Sequence, residues 1–136
     1  MNENQFATKE YIDACRQPAI QRLRPHLAPS DLVLTEANQL RFASETNDMP
    51  SQREKLIWLP PLDQSLSMLS ERSQNPCEPL LRPCEGGWEC VVTLSEWATD
   101  YGTFVDAQRR FVGAVPRLVV LRALNAAIGT GERWMV

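Results

Sequence analysis

The sequence has few of the side chains on which enzyme mechanisms commonly depend. Its 136 residues include one histidine, His26, which stands between Pro25 and Leu27. The Gly-Lys-Ser/Thr phosphate loop, the Gly-x-Gly-x-x-Gly turn and the Gly-x-Ser-x-Gly elbow are all missing, which excludes the commonest nucleotide-binding and serine-hydrolase signatures. Since acid–base catalysis also needs a positioned partner, we expect His26 to interact with a helix end instead. The sequence predicts a protein that is not an enzyme.

Positive charge is also scarce. Lysine and arginine total 14 against 17 acidic residues, which gives a net charge of −3 and a pI of about 5.2. This balance disfavours binding to nucleic acid, because proteins that bind duplexes concentrate basic residues on one face. No apolar run approaches the ~20 residues that span a bilayer, and Met1 to Lys9 lack the pattern of a signal peptide. We therefore expect a cytoplasmic protein with no membrane partner.

The remaining composition is that of an ordinary globular protein. Hydrophobic residues make up 43% and charged residues 23% of the chain, which is enough apolar material for one core. We predict a single α+β domain over residues 1–136, with a polar leader over about 1–8 and an exposed loop over about 44–54. The predicted fold class is a small antiparallel sheet, made of a hairpin and a meander, packed against two to three helices.

Two helical segments are predicted near the N-terminus. Thr8 can cap the first, which carries Ile12 and Cys15 on one face. Pro18 is either a kink or the first residue of the second segment, which runs through Leu27, because proline lacks the N–H that a helix interior requires.

Short strands and a clear helix follow. The β-prone runs 31–35 and 39–43 indicate a hairpin, with a helix over 35–43 as the alternative. The run 55–59 predicts another strand. Pro61 suits the first position of a helix, and an apolar stripe along that helix is formed by Leu62, Leu66 and Leu69.

An antiparallel meander is predicted over residues 77–106. Its first strand, 78–84, contains two prolines and can only be an edge strand, because proline donates no ladder hydrogen bond. A second strand follows the Glu85-Gly86-Gly87 turn, and a third runs over 103–106. The second strand places alternate residues on one face, namely Trp88, Cys90, Val92 and Leu94. We expect a last helix to begin at Pro116 and to be stopped by Gly129 and Gly131.

The cysteines are the strongest candidate for a metal site. Cys77, Cys84 and Cys90 lie close together in sequence, and His26 can supply a fourth zinc ligand. The paired Cys-x-x-Cys spacing of structural zinc sites is missing, however, so small buried hydrophobes are the favoured interpretation. A Cys77–Cys84 or Cys84–Cys90 disulfide is a further alternative in what we expect to be a reducing compartment. We predict no cofactor.

Five carboxylates surround the predicted meander, namely Glu85, Glu89, Glu96, Asp100 and Asp106. Paired carboxylates can hydrolyse glycosides, but only within a cleft shaped for the substrate. Acidic residues on strand edges and turns are more typical of a solvated face, which is the interpretation we favour.

Exposed aromatic and basic residues are the candidates for binding a partner. Of the four tryptophans, Trp58 and Trp88 fall on inward strand faces, whereas Trp97 falls in a loop and Trp134 in the C-terminal tail. Arg109, Arg110 and Phe111 form a basic–aromatic cluster before the last helix, which can touch nucleic acid but is more typical of a solvated corner. The predicted partner-binding residues are Trp97, Arg109, Arg110 and Trp134.

Part of the chain resembles a recurring element of small proteins of tailed phages and prophages. The run Trp58-Leu59-Pro60-x-Leu62-x-x-x-Leu66-x-x-Leu69 is similar to a strand end that leads into an apolar-striped helix. The Gly-Trp strand at 87–90 and the Ala/Leu-rich run at 121–127 complete a pattern over residues 56–128. This pattern resembles the phage α-β-α sandwich domain, which implies an accessory protein of a mobile element and assigns no functional residue.

We therefore predict a non-catalytic accessory protein of phage or prophage type that binds an unknown host or phage protein and modulates a host process or host defence. The alternative is a zinc-stapled module that uses Cys77, Cys84, Cys90 and His26 and contacts nucleic acid through Arg109 and Arg110. The sequence leaves the oligomeric state open, including a homo-oligomer.

Overall fold

A computed structural model of the chain describes residues 8–46, 53–72 and 79–133. The described residues form four α-helices and two antiparallel three-stranded sheets, which confirms the predicted α+β class. The chain divides into two compact units, residues 1–60 and 61–136, and each unit is built around its own sheet. The predicted hairpin belongs to the first sheet and the predicted meander to the second. The single domain over 1–136 stays a prediction.

Helix α1 spans Lys9–Cys15 and begins as predicted at Thr8, whose Oγ1 accepts a hydrogen bond from the Tyr11 amide at 3.3 Å. Its buried residues are Tyr11 and Cys15, while Ile12 is half-buried. The Tyr11 hydroxyl donates to the Pro60 carbonyl at 2.7 Å, so the buried phenol has a partner.

Helix α2 spans Pro18–Gln21, and Pro18 is its first residue. The predicted continuation to Leu27 is wrong. The amides of Leu23 and Arg24 bond to the carbonyls three residues earlier, which closes tight turns, and the proline after Arg24 disfavours helical backbone at that residue.

The first sheet has the strand order β2-β1-β3, formed by Leu40–Phe42, Leu32–Leu34 and Ile57–Trp58. Leu32 pairs with Phe42 and Leu34 with Leu40, so the hairpin is confirmed and the alternative helix over 35–43 is wrong. The turn between them places Asn38 at φ 60°, a left-handed conformation that asparagine tolerates.

Strand β3 is shorter than the predicted run 55–59, because Arg53–Lys55 form a 3₁₀ turn before it. The Gln21 side chain completes the hydrogen bonding of β3, since its Oε1 accepts from the Trp58 amide at 2.9 Å and its Nε2 donates to the Trp58 carbonyl at 2.9 Å. Most of the predicted exposed loop, 44–54, lies outside the described residues.

The second unit begins with helix α3, Leu62–Arg72, which follows Pro61 as predicted. Asp63 lies in its first turn and Arg72 in its last, each at the end of the helix dipole that favours its charge. Leu69 is fully buried, whereas Leu62 and Leu66 of the predicted stripe are half-buried. The apolar stripe therefore packs most tightly at its C-terminal end.

The second sheet has the order β4-β5-β6, with strands Leu80–Cys84, Gly87–Ala98 and Thr103–Gly113. Strand β4 lies at an edge, as its prolines predicted, and the Gly-containing turns join consecutive strands where expected. Strand β6 extends seven residues beyond the predicted Thr103–Asp106, since it pairs with β5 without interruption from Thr103 to Gly113. The predicted corner at Arg109 and Arg110 is therefore wrong, because both residues are in the strand.

Helix α4 spans Pro116–Arg133 and packs against one face of this sheet. The residues Cys90, Val92 and Leu94 of β5 are buried on that face, which we call the inner face, and Leu118 to Leu121 of the helix are also buried. Pro116 is the first residue of α4 as predicted, but the helix continues through Gly129, so the predicted stop is wrong. A glycine inside a helix costs only about 1 kcal/mol relative to alanine, which the packing of a long apolar face outweighs. None of the helices in the described part of the chain is long and apolar enough to span a membrane.

Candidate protein-interaction face

The opposite face of the second sheet, which we call the outer face, is largely open to solvent. Strand alternation and register assign its side chains. They are Leu80, Arg82 and Cys84 from β4, Glu89, Val91, Thr93, Ser95 and Trp97 from β5, and Phe104, Asp106, Gln108, Arg110 and Val112 from β6. All of them except Glu89 are exposed or half-buried. The outer face therefore has an aromatic pair at one end and a mixture of charged and apolar side chains towards the other.

An aromatic pair occupies one end of the outer face. Trp97 and Phe104 are directly opposite each other in the register, with ring centroids 5.1 Å apart and ring planes at 72°. This edge-to-face arrangement is one that aromatic pairs favour. Trp97 is nevertheless 54% exposed, and Tyr101, in the adjoining four-residue turn, is 79% exposed. The pair thus holds a large indole in place while leaving more than half of its surface available.

A buried carboxylate lies towards the other end of the outer face. Glu89 is paired with Arg82 across β4, with 2.6 Å between Nε and Oε1, and its second oxygen accepts from Arg110 of β6. The hydrogen bonds from Arg110 and Arg82 hold the pKa of Glu89 below its ordinary value. The Glu89 side chain is 7% exposed, but those of Arg82 and Arg110 are 57% and 58% exposed, so salt screens these pairs. The triad carries a net charge of +1.

Arg109 lies on the inner face opposite Val92, and its side chain is 54% exposed. Its guanidinium donates to both carboxylate oxygens of Glu96, and this side-chain hydrogen bond raises the pKa of Arg109. The predicted basic cluster of Arg109 and Arg110 is therefore divided between the two faces of β6, with a glutamate paired to each arginine. Such an arrangement does not form the patch of unpaired positive charge that single-stranded nucleic acid requires.

The three predicted partner-binding residues that the structure describes do not form one site. Trp97 and Arg110 share the outer face, but Arg110 is six residues along β6 from Phe104, which corresponds to about 20 Å. Arg109 lies on the other face, and Trp134 lies outside the described residues. Of these three described residues, only Trp97 belongs to the exposed aromatic end.

The structure does not bring the cysteines together. Cys84 pairs with Gly87 on the outer face, whereas Cys90 pairs with Leu81 on the inner face, so the proposed Cys84–Cys90 disulfide is wrong and both are thiols. Cys77 lies outside the described residues, which leaves its disulfide with Cys84 untested. His26 is exposed in the first unit. Within the described residues, no group of three or more His, Cys, Asp or Glu side chains is arranged to hold a metal ion.

The five carboxylates of the meander are likewise separated. Glu85 and Asp100 belong to the turns at opposite ends of the β5 hairpins, and Glu89 and Glu96 lie on opposite faces of β5. Both glutamates on the strand are engaged by arginines. The hairpin geometry therefore keeps these groups apart, in contrast to the close pairs of glycosidases.

The first unit contains an open cleft of about 1170 Å³. Its charged lining consists of Arg16, Arg22, Arg53, Lys55 and a single carboxylate, Glu36. The cleft therefore carries an excess of positive charge on a chain whose net charge is −3. Sequence analysis missed this cleft because its basic residues are scattered over 40 positions and come together only when β3 pairs with β1.

Arg53 has a structural role at the edge of this cleft. Its guanidinium donates to the carbonyls of Arg24, Leu56 and Gln21 at 2.9 to 3.3 Å and to the Gln21 Oε1 at 3.1 Å. Burial lowers the pKa of Arg53, an effect that the charge of Asp31 partly offsets. Arg53 therefore stabilises the cleft wall, and Arg16 and Lys55 are exposed cations beside it.

Asp31 forms a buried ion pair with Arg24 in the first unit. Burial alone would raise the pKa of its carboxyl, but hydrogen bonds from Arg24 and from the Ala28 amide, with the charges of Arg24 and Arg53, hold it below the ordinary value. The Arg24–Asp31 pair is bidentate, at 2.8 and 3.0 Å, and the Asp31 side chain is 4% exposed. Arg24 also lies over the ring of Trp58, 6.0 Å from its centroid.

Phe104 is the outer-face partner of Trp97 that the sequence does not single out. Strand β5 continues to Ala98, four residues beyond the predicted end, which converts Trp97 from a loop residue into a strand residue opposite Phe104. The signal in the sequence is the alternation of Thr93, Ser95 and Trp97, which continues the strand pattern through polar residues.

Comparison of the chain with protein-family models, curated proteins and solved structures found no match.

Proposed function

We propose that this chain is a non-catalytic protein-binding module whose recognition element is the aromatic end of the outer face. The observation that carries the proposal is Trp97, held by Phe104 and 54% exposed. Tryptophan is strongly enriched among the residues that dominate binding energy, and a ring ordered before binding loses less entropy when a partner covers it.

The adjoining turn indicates the chemistry of the partner. It carries Asp100 and Tyr101 next to the Trp97–Phe104 pair. A protein segment that presents an apolar side chain beside an arginine or lysine matches this arrangement, because the apolar group packs on the indole while the cation interacts with the carboxylate and the aromatic faces. A cytoplasmic phage accessory protein that acts on a host protein is the finer form of this proposal, and it is supported by the resemblance in sequence alone.

A random peptide library selected on the immobilised protein tests the proposal. We expect enriched peptides to contain an apolar residue next to arginine or lysine. Trp97→Ala should weaken a selected peptide about tenfold or more, as truncation of an anchor residue does. Phe42→Ala is the matched control, because Phe42 is 52% exposed in the first unit and should leave binding unchanged. Equal losses for both variants, or no enrichment, would contradict the proposal.

The basic cleft supports a second candidate function, the binding of a small anionic ligand such as a phosphate-bearing compound. Arg16 and Lys55 are exposed on its wall, and the surplus of cations attracts anions against the net charge of the chain. Titration with inorganic pyrophosphate, followed by calorimetry, tests it. Binding should be lost in Arg16→Gln/Lys55→Gln and kept in Lys9→Gln, whose side chain does not line the cleft. Binding that survives the double substitution would exclude this function.

A further inference from the structure

Strand β6 is a long edge strand that is unusually regular. It forms eleven consecutive pairs with β5, from Trp88 opposite Gly113 to Ala98 opposite Thr103, with no bulge and no proline. Among the described residues, β6 has a strand on one side only. At ~3.4 Å per residue, its free edge offers about 37 Å of backbone, and long regular edges are sites where another strand adds. The bulges and prolines that blunt many natural edges are missing from Thr103–Gly113, although the strand carries the charged residues Asp106, Arg109 and Arg110.

We infer that this edge pairs with the β6 edge of a second copy of the same chain. A two-fold axis perpendicular to the sheet makes the strands antiparallel, and pairing over the whole of β6 places the axis at Gln108, the middle residue of Thr103–Gly113. In this register Asp106 lies opposite Arg110 of the second copy. Phe104 lies opposite its Val112, and Val105 opposite its Phe111. One ion pair and two apolar pairs thus form, each of them twice by symmetry, while Arg109 lies opposite Ala107.

The charges of the single chain support this pairing. Arg82 and Arg110 share one carboxylate, Glu89, so the triad retains a positive charge on the outer face. Asp106 is exposed on the same face. In the paired strands each Arg110 faces an Asp106, which neutralises the surplus on both copies. Opposite charges directly across a strand pair stabilise it, and like charges destabilise it.

The apolar side chains support it independently. Val105 and Val112 are 39% and 46% exposed in the single chain, on opposite faces of β6. Pairing covers each of them with an aromatic side chain, and aromatic–β-branched pairs are among the favourable cross-strand contacts. Moving the axis by one residue to Arg109 would instead place Arg109 opposite itself and Asp106 opposite Val112. The self-complementarity is therefore specific to the register that uses the full strand.

One edge group is already engaged. The Arg122 guanidinium donates to the Val112 carbonyl at 2.8 Å. A carbonyl oxygen accepts two hydrogen bonds, so this contact leaves one position for the second copy.

Pairing would join the β4-β5-β6 sheets of the two copies into one six-stranded sheet, with one Trp97 anchor on each half. The inference does not depend on the proposed function, because peptide binding at Trp97 and pairing at Gln108 are measured separately.

Sedimentation velocity over a range of concentrations tests the pairing. We expect the wild-type protein to dimerise, and Asp106→Arg, which places two arginines opposite each other twice, to raise the dissociation constant at least about tenfold. The matched control is Asp100→Arg, the same change of charge in the exposed turn outside β6, which should leave the dissociation constant unchanged. The inference is overturned if the wild-type protein stays monomeric at high concentration, or if Asp106→Arg leaves the dissociation constant of the dimer unchanged.

Cross-linking tests the register. With Cys77 and Cys84 replaced by serine, Gln108→Cys places two thiols at the two-fold axis, about 5 Å apart between Cβ atoms. A short bifunctional thiol reagent should then link the copies efficiently. Thr103→Cys is the control on the same strand, since its two copies would be about 34 Å apart. Equal cross-linking at both positions would exclude this register, and cross-linking at position 103 alone would show a different interface.

Discussion

Gly87 and Gly113 lie in such close contact that a Cβ on Gly87 would be 2.3 Å from the Gly113 carbonyl oxygen. The contact is between the start of β5 and the end of β6, where Trp88 pairs with Gly113. Gly87 has φ 153°, in a region that other residues rarely adopt. Both the backbone angle and the lack of space therefore require glycine at position 87.

Gly87→Ala should lower the free energy of unfolding by about 2–3 kcal/mol, because backbone must move to relieve the clash. The control is Gly86→Ala, whose φ is 85° but whose Cβ would have no atom within 4 Å. It should cost only about 1 kcal/mol, the strain of the left-handed backbone. Urea unfolding of both variants measures the difference, and a Gly86 substitution that costs more than the Gly87 substitution would contradict the geometry.

Gly129→Ala should have the opposite effect. Gly129 lies inside α4, and a Cβ there would have no atom within 4 Å, so alanine should stabilise the helix by about 0.5–1 kcal/mol. If Gly129 instead ended the helix in a left-handed conformation, as its sequence position suggested, alanine would destabilise the protein. The sign of the change in thermal melting temperature decides between these two helix ends.

Local chemistry explains which elements could be predicted. Thr8, Pro18 and Pro116 act through their own backbone and nearest turn, and each begins the helix that the sequence predicted. The lengths of β5 and β6 depend instead on pairing between distant residues, which is why the sequence predicts a loop at Trp97 and a corner at Arg109 where the structure has strands. The predicted helix end at Gly129 is wrong for the same reason, since tertiary packing outweighs the low helix propensity of glycine.

The candidate site was accordingly predicted in part. The sequence singles out Trp97 as a candidate because it falls outside the predicted strands, but it leaves its exposure open, and the structure gives that exposure as 54%. Its contact with Phe104, and the separation of Arg109 from Arg110, follow from register, which neighbouring residues in sequence do not reveal. The basic cleft was out of reach because Arg16 and Lys55 approach each other only through the tertiary fold.

Asp31→Asn should destabilise the first unit more at neutral pH than in acid. The folded-state pKa of Asp31 lies below its unfolded value of about 3.9, so the carboxylate contributes stability above that pH and loses it as the pH falls through the folded pKa. Loss of the buried pair with Arg24 should cost about 2–3 kcal/mol at pH 7. Urea unfolding should show a smaller difference in the free energy of unfolding between wild type and Asp31→Asn at pH 3 than at pH 7.

The exposed Asp13, replaced by asparagine, is the control for this experiment and should leave stability unchanged at both pH values. A deficit of Asp31→Asn that is as large at pH 3 as at pH 7 would show that packing, and not charge, is what the substitution removes.

Thiol reactivity tests the register of the second sheet, on which the outer face and the edge pairing depend. In a Cys77→Ser background, Cys84 is half-buried on the outer face, whereas Cys15 and Cys90 are completely buried. A colourless disulfide reagent that releases a chromophore should modify Cys84 in the native protein. The other two thiols should react at least about 100-fold more slowly, because they become accessible only through opening of the core.

A slip of one residue in strand pairing moves every side chain to the other face of the sheet. Rapid modification of Cys90 would therefore show that β5 presents its opposite face to α4. Trp97 would then lie on the helix side of the sheet, and both the anchor and the complementary edge would be lost.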